Sequence, residues 1–357
     1  MTEPRVLFFR HHPYEDALPE AEVGFAPRID ADDLRIADRV AAAYRKSAAR
    51  NYYGSDSVWR AIRHDRQRGL HELFLTGSAA QIAAAVRDPK GNHLLYGIES
   101  VYEGYEQQAK DGKRPQRYAS RTKSELVRLA EALGLSRLEN PEGGPWLESI
   151  HRPTDELVRA IEEMLGFPLA PKWCFEGAFG LKCRSGVLLD RMIHGAYCAH
   201  RLRALGARKV LEIGAGVGYL ARCAHEIGID YTIVDLPMTS VVQGYFLMRA
   251  LGEDAVALEG EPARAGQIRV RTPSHLAAAE RYDLVVNVDS LTEVGLETAA
   301  AYLKRSFEIC DRFLSVNHEA NPFTVDGLLR ERFPELKSER FPYWMRRGYV
   351  EEIISKR

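Results

Sequence analysis

Three glycines at alternate positions, Gly214, Gly216 and Gly218, follow the apolar run Val210-Leu211-Glu212-Ile213 and lead directly into Tyr219-Leu220. Glycine lets a backbone pass beneath a ligand with no Cβ in the way, and a helix starting at that point aims its free N–H groups at whatever is bound. Two acids frame the loop. Glu212 stands two residues before the first glycine, and Asp235 closes a second apolar run, Tyr231-Thr232-Ile233-Val234. The dinucleotide fingerprint G-x-G-x-x-G would need a third glycine where this chain has Tyr219. An acid at Glu212 would also repel a pyrophosphate, yet it suits a cation, and a carboxylate at Asp235 suits the cis diol of a ribose. S-adenosylmethionine meets both demands. Ala215 and Tyr219 complete the loop, Leu236 and Pro237 are placed to pack on the adenine, and Ser274 and His275 to edge it.

Methyl transfer from a sulfonium is an in-line displacement in which a protein chiefly aligns the reactants. An alcohol acceptor must also lose a proton, and a positioned base typically contributes about 10²–10⁴-fold. Two polar segments follow apolar runs and supply candidates: Asn287-Val288-Asp289-Ser290-Leu291-Thr292-Glu293 and Asn317-His318-Glu319-Ala320-Asn321. His318 is the first choice, because imidazole titrates near neutral pH, and Glu293 the second. Asn287 and Ser290 are expected on the cofactor side and Asp289 on the acceptor side. Ser290-x-x-Glu293 also reads as a helix-capping box. His194 and His200 fall on an amphipathic helix and read as packing residues. A metal-assisted reaction would use Asp289 and Glu319 as ligands, but no compact acidic cluster supports one, so no metal is assigned.

The elements that must position these groups change character along the chain. Before residue 180 the pattern is mostly helical: Asp30 to Arg45, a stretch around Val58-Trp59 and Ile62, Gln81 to Arg87 ahead of Pro89, a face of Leu126, Leu129, Ala130 and Leu133, and a helix opened by Pro153-Thr154-Asp155-Glu156. Asn140 to Pro145 reads as a loop. Later, strands at Lys209–Ile213, Tyr231–Val234, Gln267–Arg271, Tyr282–Asn287 and Arg312–Val316 alternate with helices, and two strand-like pieces, Arg340–Met345 and Tyr349–Ile354, flank Arg346-Arg347-Gly348. Such alternation gives a mainly parallel sheet. The expected organisation is a helical domain over residues 1–180 and an α/β domain over 181–357, with the ligand beyond the carboxyl ends of the strands.

The glycine segment resembles motif I of class I S-adenosylmethionine-dependent methyltransferases, whose ribose-binding acid matches Asp235. Leu211 to Leu220, Tyr231 to Pro237, Tyr282 to Val294 and Arg346 to Glu352 further resemble a bacterial group of sugar O-methyltransferases. The resemblance implies a Rossmann-like class I sheet ending in an antiparallel hairpin, and methyl transfer to a hydroxyl of a sugar or glycosylated metabolite. It implies a helical half that covers the crevice and offers a homodimer contact. Trp173, Phe175, Phe179, Tyr197 and Trp344 would line the acceptor pocket, and Arg184, Arg346 and Arg347 would hold an anionic group on it. Rival readings are methylation of a non-sugar natural-product scaffold at oxygen, nitrogen or carbon, and a non-catalytic cofactor-binding scaffold.

Composition narrows the field. The chain has 357 residues, 45% hydrophobic, with a net charge of −1 and mixed acids and bases, so it carries no basic footprint for nucleic acid or an acidic membrane. The partner is expected to be a small-molecule acceptor. Five scattered cysteines without a CxxC pair read as reduced thiols of a cytoplasmic protein.

Overall fold

The computed structural model describes residues 21–23, 28–50, 52, 57–89, 92–99, 114–138, 152–172, 175, 179–277 and 280–356. Trp173, the side chain of Phe179 and the Asn140 to Pro145 loop lie outside this set. Asp30 caps α1 (Ala31–Ser47): its carboxylate accepts from the Asp33 N–H at 2.8 Å, and Asp33 accepts in return from the Asp30 N–H at 3.0 Å. Helices α2 (Val58–Asp65), α3 (Arg68–Thr76) and α4 (Ala79–Arg87) follow, the last capped reciprocally by Ser78 and Gln81. Next come α5 (Arg114–Ala132) and α6 (Thr154–Leu165); α6 stops at Gly166, whose φ of +87° a side chain would resist.

A small antiparallel sheet, β1 (Ala21–Val23), β2 (Phe179–Cys183) and β3 (Gly186–Leu188), precedes the main one. Strands this short leave too little alternation to be read in sequence. After α7 (Asp190–Ala204), the main sheet takes β4 (Lys209–Ile213), β5 (Asp230–Val234), β6 (Val256–Ala257), β7 (Ile268–Arg271), β8 (Leu284–Val288), β9 (Arg312–His318), β10 (Leu336–Pro342) and β11 (Tyr349–Lys356). Their spatial order is β10-β11-β9-β8-β4-β5-β7-β6. All neighbours are parallel except β11, which runs antiparallel to β9 and β10. Helices α8 (Tyr219–Glu226), α9 (Pro237–Leu251), α10 (Leu296–Ile309) and α11 (Val325–Arg332) complete this Rossmann-like α/β sheet with its antiparallel hairpin. The order reverses at β4, where the chain leaves one side of the sheet and returns on the other, so the crevice forms beyond β4 and β8.

The terminal hairpin differs from its sequence reading. Its first strand begins at Leu336 and ends at Pro342, and Tyr343 to Gly348 form the connection. All of β10 after Leu336 is exposed, so it carries no buried alternation to mark its start. The 180/181 boundary falls inside β2, and one buried cluster runs from Ile36 through Leu126 and Val210 to Met345. Asp33 shows how the halves join: it receives the Tyr245 hydroxyl of α9 at 2.7 Å and is ion-paired with Arg87 of α4.

Candidate functional site

The glycine loop lies at the bottom of a crevice whose walls come from both halves of the chain. A Cβ on Gly214, where φ is +72°, would meet Ser290 Oγ at 2.1 Å, so only glycine fits. Ser290 is held in turn: Asn287 Nδ2 donates to Ser290 Oγ at 2.6 Å and to Ile213 O at 2.8 Å. Asn287 is fully buried, accepts from the Leu291 N–H at 3.0 Å and does not face the crevice. Its expected contact with the cofactor is therefore corrected to a support beneath the loop.

Both framing acids line the crevice, Glu212 buried and Asp235 half-buried. Asp235 Oδ2 accepts from the Ala215 N–H at 2.9 Å and from Gln243 Nε2 at 2.6 Å, while Oδ1 accepts from the Leu236 N–H at 2.7 Å. Burial outweighs these bonds and pushes its carboxyl up to about 6. Glu212 receives the Tyr231 hydroxyl at 3.0 Å, and burial, reinforced by Asp235, pushes it up to about 8. Among the described residues, no lysine, arginine or histidine comes within 4.0 Å of either carboxylate. Ala215, Gly216, Tyr219 and Leu236 line the same space, with Gly218 behind them as the N-cap of α8.

Three expected cofactor residues lie elsewhere. Pro237 is buried as the first residue of α9, against α1. Ser274 Oγ bonds Thr272 Oγ1 at 2.9 Å, and His275 Nε2 is 3.2 Å from the Tyr282 hydroxyl. Tyr52 takes their place at the crevice, its hydroxyl 3.2 Å from Thr272 Oγ1 and 3.3 Å from Ser274 Oγ. Sequence reasoning had no handle on Tyr52, an isolated tyrosine far along the chain from the loop it joins.

The same crevice also gathers Trp59, Asp289, Glu293, Tyr343, Arg346 and Tyr349. Asp289 adopts φ +57° directly after β8; its Oδ2 accepts from the Tyr349 hydroxyl at 2.8 Å, with Arg346 and Arg191 at 3.7 and 3.8 Å. Glu293 accepts from Trp59 Nε1 at 3.2 Å, and burial, then the Asp289 charge, pushes it up to about 7. Ser290-x-x-Glu293 opens only a single 3-10 turn, and Ser290 makes no cap bond there.

His318 closes β9 but does not line this space. Its Nδ1 accepts from the Ala320 N–H at 3.2 Å, so in the neutral ring the proton sits on Nε2. Nε2, 3.8 Å from Asp289 Oδ1, then offers an N–H and no lone pair. That geometry removes His318 as the proton acceptor. Ligating atoms of Asp289, Glu293 and His318 lie within 4.8 Å of one another, a compact group of ligand types that the sequence reading did not expect. Glu319, the other expected ligand, pairs with Arg340 at 2.6 Å.

Four expected acceptor residues, Arg184, Trp344, Phe175 and Tyr197, do not line the crevice. Arg184 sits on the β2–β3 turn beside Asp155 and Glu162 of α6, its N–H donating to Asp155 at 2.6 Å. Trp344 is 43% exposed, donates to the Arg128 carbonyl at 3.1 Å and faces a surface groove shared with Tyr197. Phe175 is buried against Tyr245 and Phe246. Acids or backbone atoms nearer to hand satisfied each polar group.

No family model matches the chain, and no curated protein does. Among solved structures it is similar to a glycopeptide N-methyltransferase (16% identity, 46% of this chain and 90% of that one, TM-score 0.36). It is similar as well to an O-methyltransferase from Bacillus cereus in complex with S-adenosylhomocysteine (13%, 59% and 96%, TM-score 0.35). A magnesium protoporphyrin IX methyltransferase from Synechocystis PCC 6803 gives 14%, 47% and 84%, with a TM-score of 0.34. These are likenesses of fold and of nothing more specific.

Proposed function

We propose that the protein is an S-adenosylmethionine-dependent methyltransferase acting on a hydroxyl of a sugar or glycosylated metabolite. One observation carries the reading: two carboxylates, the buried Glu212 and the half-buried Asp235, share a glycine-floored crevice with no cation within 4.0 Å among the described residues. A buried charge without a partner is costly, so the site suits a ligand that brings positive charge and a diol. Asp235 would hold the ribose hydroxyls and Glu212 would face the cationic amino-acid end, with Leu236 and Tyr52 beside the base. When bound, the cofactor supplies an electrophilic methyl group. The protein's own work is then to orient an acceptor oxygen in line and to exclude water.

The acceptor half supports a sugar. Trp59, Tyr343 and Tyr349 offer flat apolar faces for C–H groups, while Asp289, Glu293 and Arg346 offer paired acceptors and donors for hydroxyls. A hydroxyl must shed its proton as the methyl arrives, so one group here must accept it. Incubation with methyl-labelled S-adenosylmethionine and a panel of methyl glycosides and sugar nucleotides tests the reading, with calorimetric titration of S-adenosylhomocysteine alongside. Label in a glycoside is the expected result. Transfer only to aglycone phenols or amines refutes the sugar, and tight binding without any transfer favours a scaffold. Asp235→Ala should weaken S-adenosylhomocysteine at least ~30-fold, as loss of a buried charged partner implies.

A further inference from the structure

His194, on α7, is one of the side chains lining the crevice. Its Nε2 lies 3.2 Å from Glu125 Oε2 of α5. Both atoms are sealed from solvent, and neither has another hydrogen-bond partner among the described residues, so a small rotation of either side chain closes the bond between them. Glu125 is set for that role: its Oε1 accepts from Arg121 Nε at 3.2 Å, and Arg121 also reaches Asp190 at 3.1 Å. Asp190 in turn receives the Tyr118 hydroxyl at 2.8 Å. The groups facing the imidazole are Glu125 from α5, Asp190 from α7 and the Tyr343 ring, edge-on at 5.8 Å, while Tyr118, Arg121 and Arg191 surround Asp190.

A carboxylate on Nε2 fixes the proton there. Nδ1 is then the basic nitrogen, and it is neither sealed off nor hydrogen-bonded among the described residues. This is the reverse of His318, whose Nδ1 is occupied. Glu293 is a weaker candidate, because its Oε2 is already engaged by Trp59 Nε1 at 3.2 Å. We propose that His194 Nδ1 takes the proton of the acceptor hydroxyl, with Glu125 as the positioning residue that fixes the ring. The inference rests on the methyltransferase reading. In the step, the acceptor O–H bond breaks as the new O–CH₃ bond forms, the S–CH₃ bond breaks with its electron pair left on sulfur, and the proton ends on Nδ1. The helical half then contributes chemistry as well as cover, because Glu125 precedes the sheet by two helices.

Long-range ¹H–¹⁵N NMR of histidine-labelled protein with S-adenosylhomocysteine should show His194 protonated at Nε2. Glu125→Gln should disturb that state, since an amide can turn its N–H toward Nε2. With the glycoside turned over fastest, His194→Ala should lower kcat by about 10²-fold or more while S-adenosylhomocysteine affinity and melting temperature hold, and added imidazole should restore part of the rate. Glu125→Gln should lower kcat while acceptor KM holds, because the ring loses the partner that orients it. A His194 protonated at Nδ1, with or without an acceptor in hand, overturns the assignment. So does full kcat in His194→Ala, or loss confined to Glu293→Gln. Failure to bind S-adenosylhomocysteine overturns this inference and the methyltransferase reading together, whereas the other outcomes leave that reading standing.

Discussion

Replacing Glu212 by glutamine should make the protein more stable and less able to bind its cofactor. The carboxyl is pushed up to about 8 by burial, from an ordinary value of 4.5. At pH 7 folding must therefore recover a proton that the unfolded chain has released. Over the roughly 2.5 pH units between 4.5 and 7, at about 1.4 kcal/mol each, this costs about 3 kcal/mol. The sign is that of a raised acid: the stability is whole below about 4.5 and is lost as pH climbs to about 8. Glutamine keeps an acceptor for the Tyr231 hydroxyl and carries no such cost. For a chain of this length, about 3 kcal/mol is a rise of about 4 °C in Tm. Thermal melts of parent and Glu212→Gln at pH 5 and pH 7.5 give the comparison, with the advantage expected at the higher pH and nearly gone at the lower. Calorimetry should show S-adenosylhomocysteine bound at least ~10-fold more weakly, since an amide cannot neutralise its ammonium group. A variant that melts no higher than the parent at pH 7.5, or an advantage unchanged at pH 5, would refute the reasoning.

Binding to the parent should track the same group. If the ionised form of Glu212 receives the ligand, S-adenosylhomocysteine should bind about 30-fold more weakly at pH 6.5 than at pH 8.5, and a flat profile across that range would count against it. Gly214→Ala should abolish cofactor binding, because the new Cβ would overlap Ser290 Oγ at 2.1 Å in a left-handed backbone; unaltered affinity by calorimetry would show that the loop yields. Tyr349→Phe removes the 2.8 Å hydrogen bond to Asp289 and should raise the acceptor KM several-fold, or about 1 kcal/mol. S-adenosylhomocysteine affinity should not move, and a matching loss there would deny that Asp289 serves the acceptor alone.

The sheet was readable because its strands are buried and continuous: β4, β5 and β8 are apolar runs that end at chemically marked positions. Glu212 and Asp235 could be placed for the same reason, since a strand's end fixes where its last side chain goes. Polar residues after strands gave less. Asp289 and Glu293 line the crevice while Asn287 and His318 lie outside its lining, and sequence spacing does not tell which atom of each is already occupied. The Ala320 N–H on His318, a local turn bond, and the Arg340 guanidinium on Glu319, a tertiary one, settle that, and neither follows from residue type. The pairing of His194 with Glu125 was not legible for a related reason. On an apolar helix face a histidine looks like packing, and its partner Glu125 lies on a different helix, 69 residues earlier by the numbering.

The placement of β11 has a bearing on how the molecule comes to be. Last of the strands in chain order, it lies inside the sheet, between β9 and β10. During synthesis, when segments organise as they leave the ribosome, β9 must wait with one edge bare until the following hairpin arrives. Tyr349, the first residue of that late strand, carries the hydroxyl that holds Asp289. A nascent chain can thus assemble its glycine loop early, yet it acquires the far wall of the crevice only when the hairpin has closed.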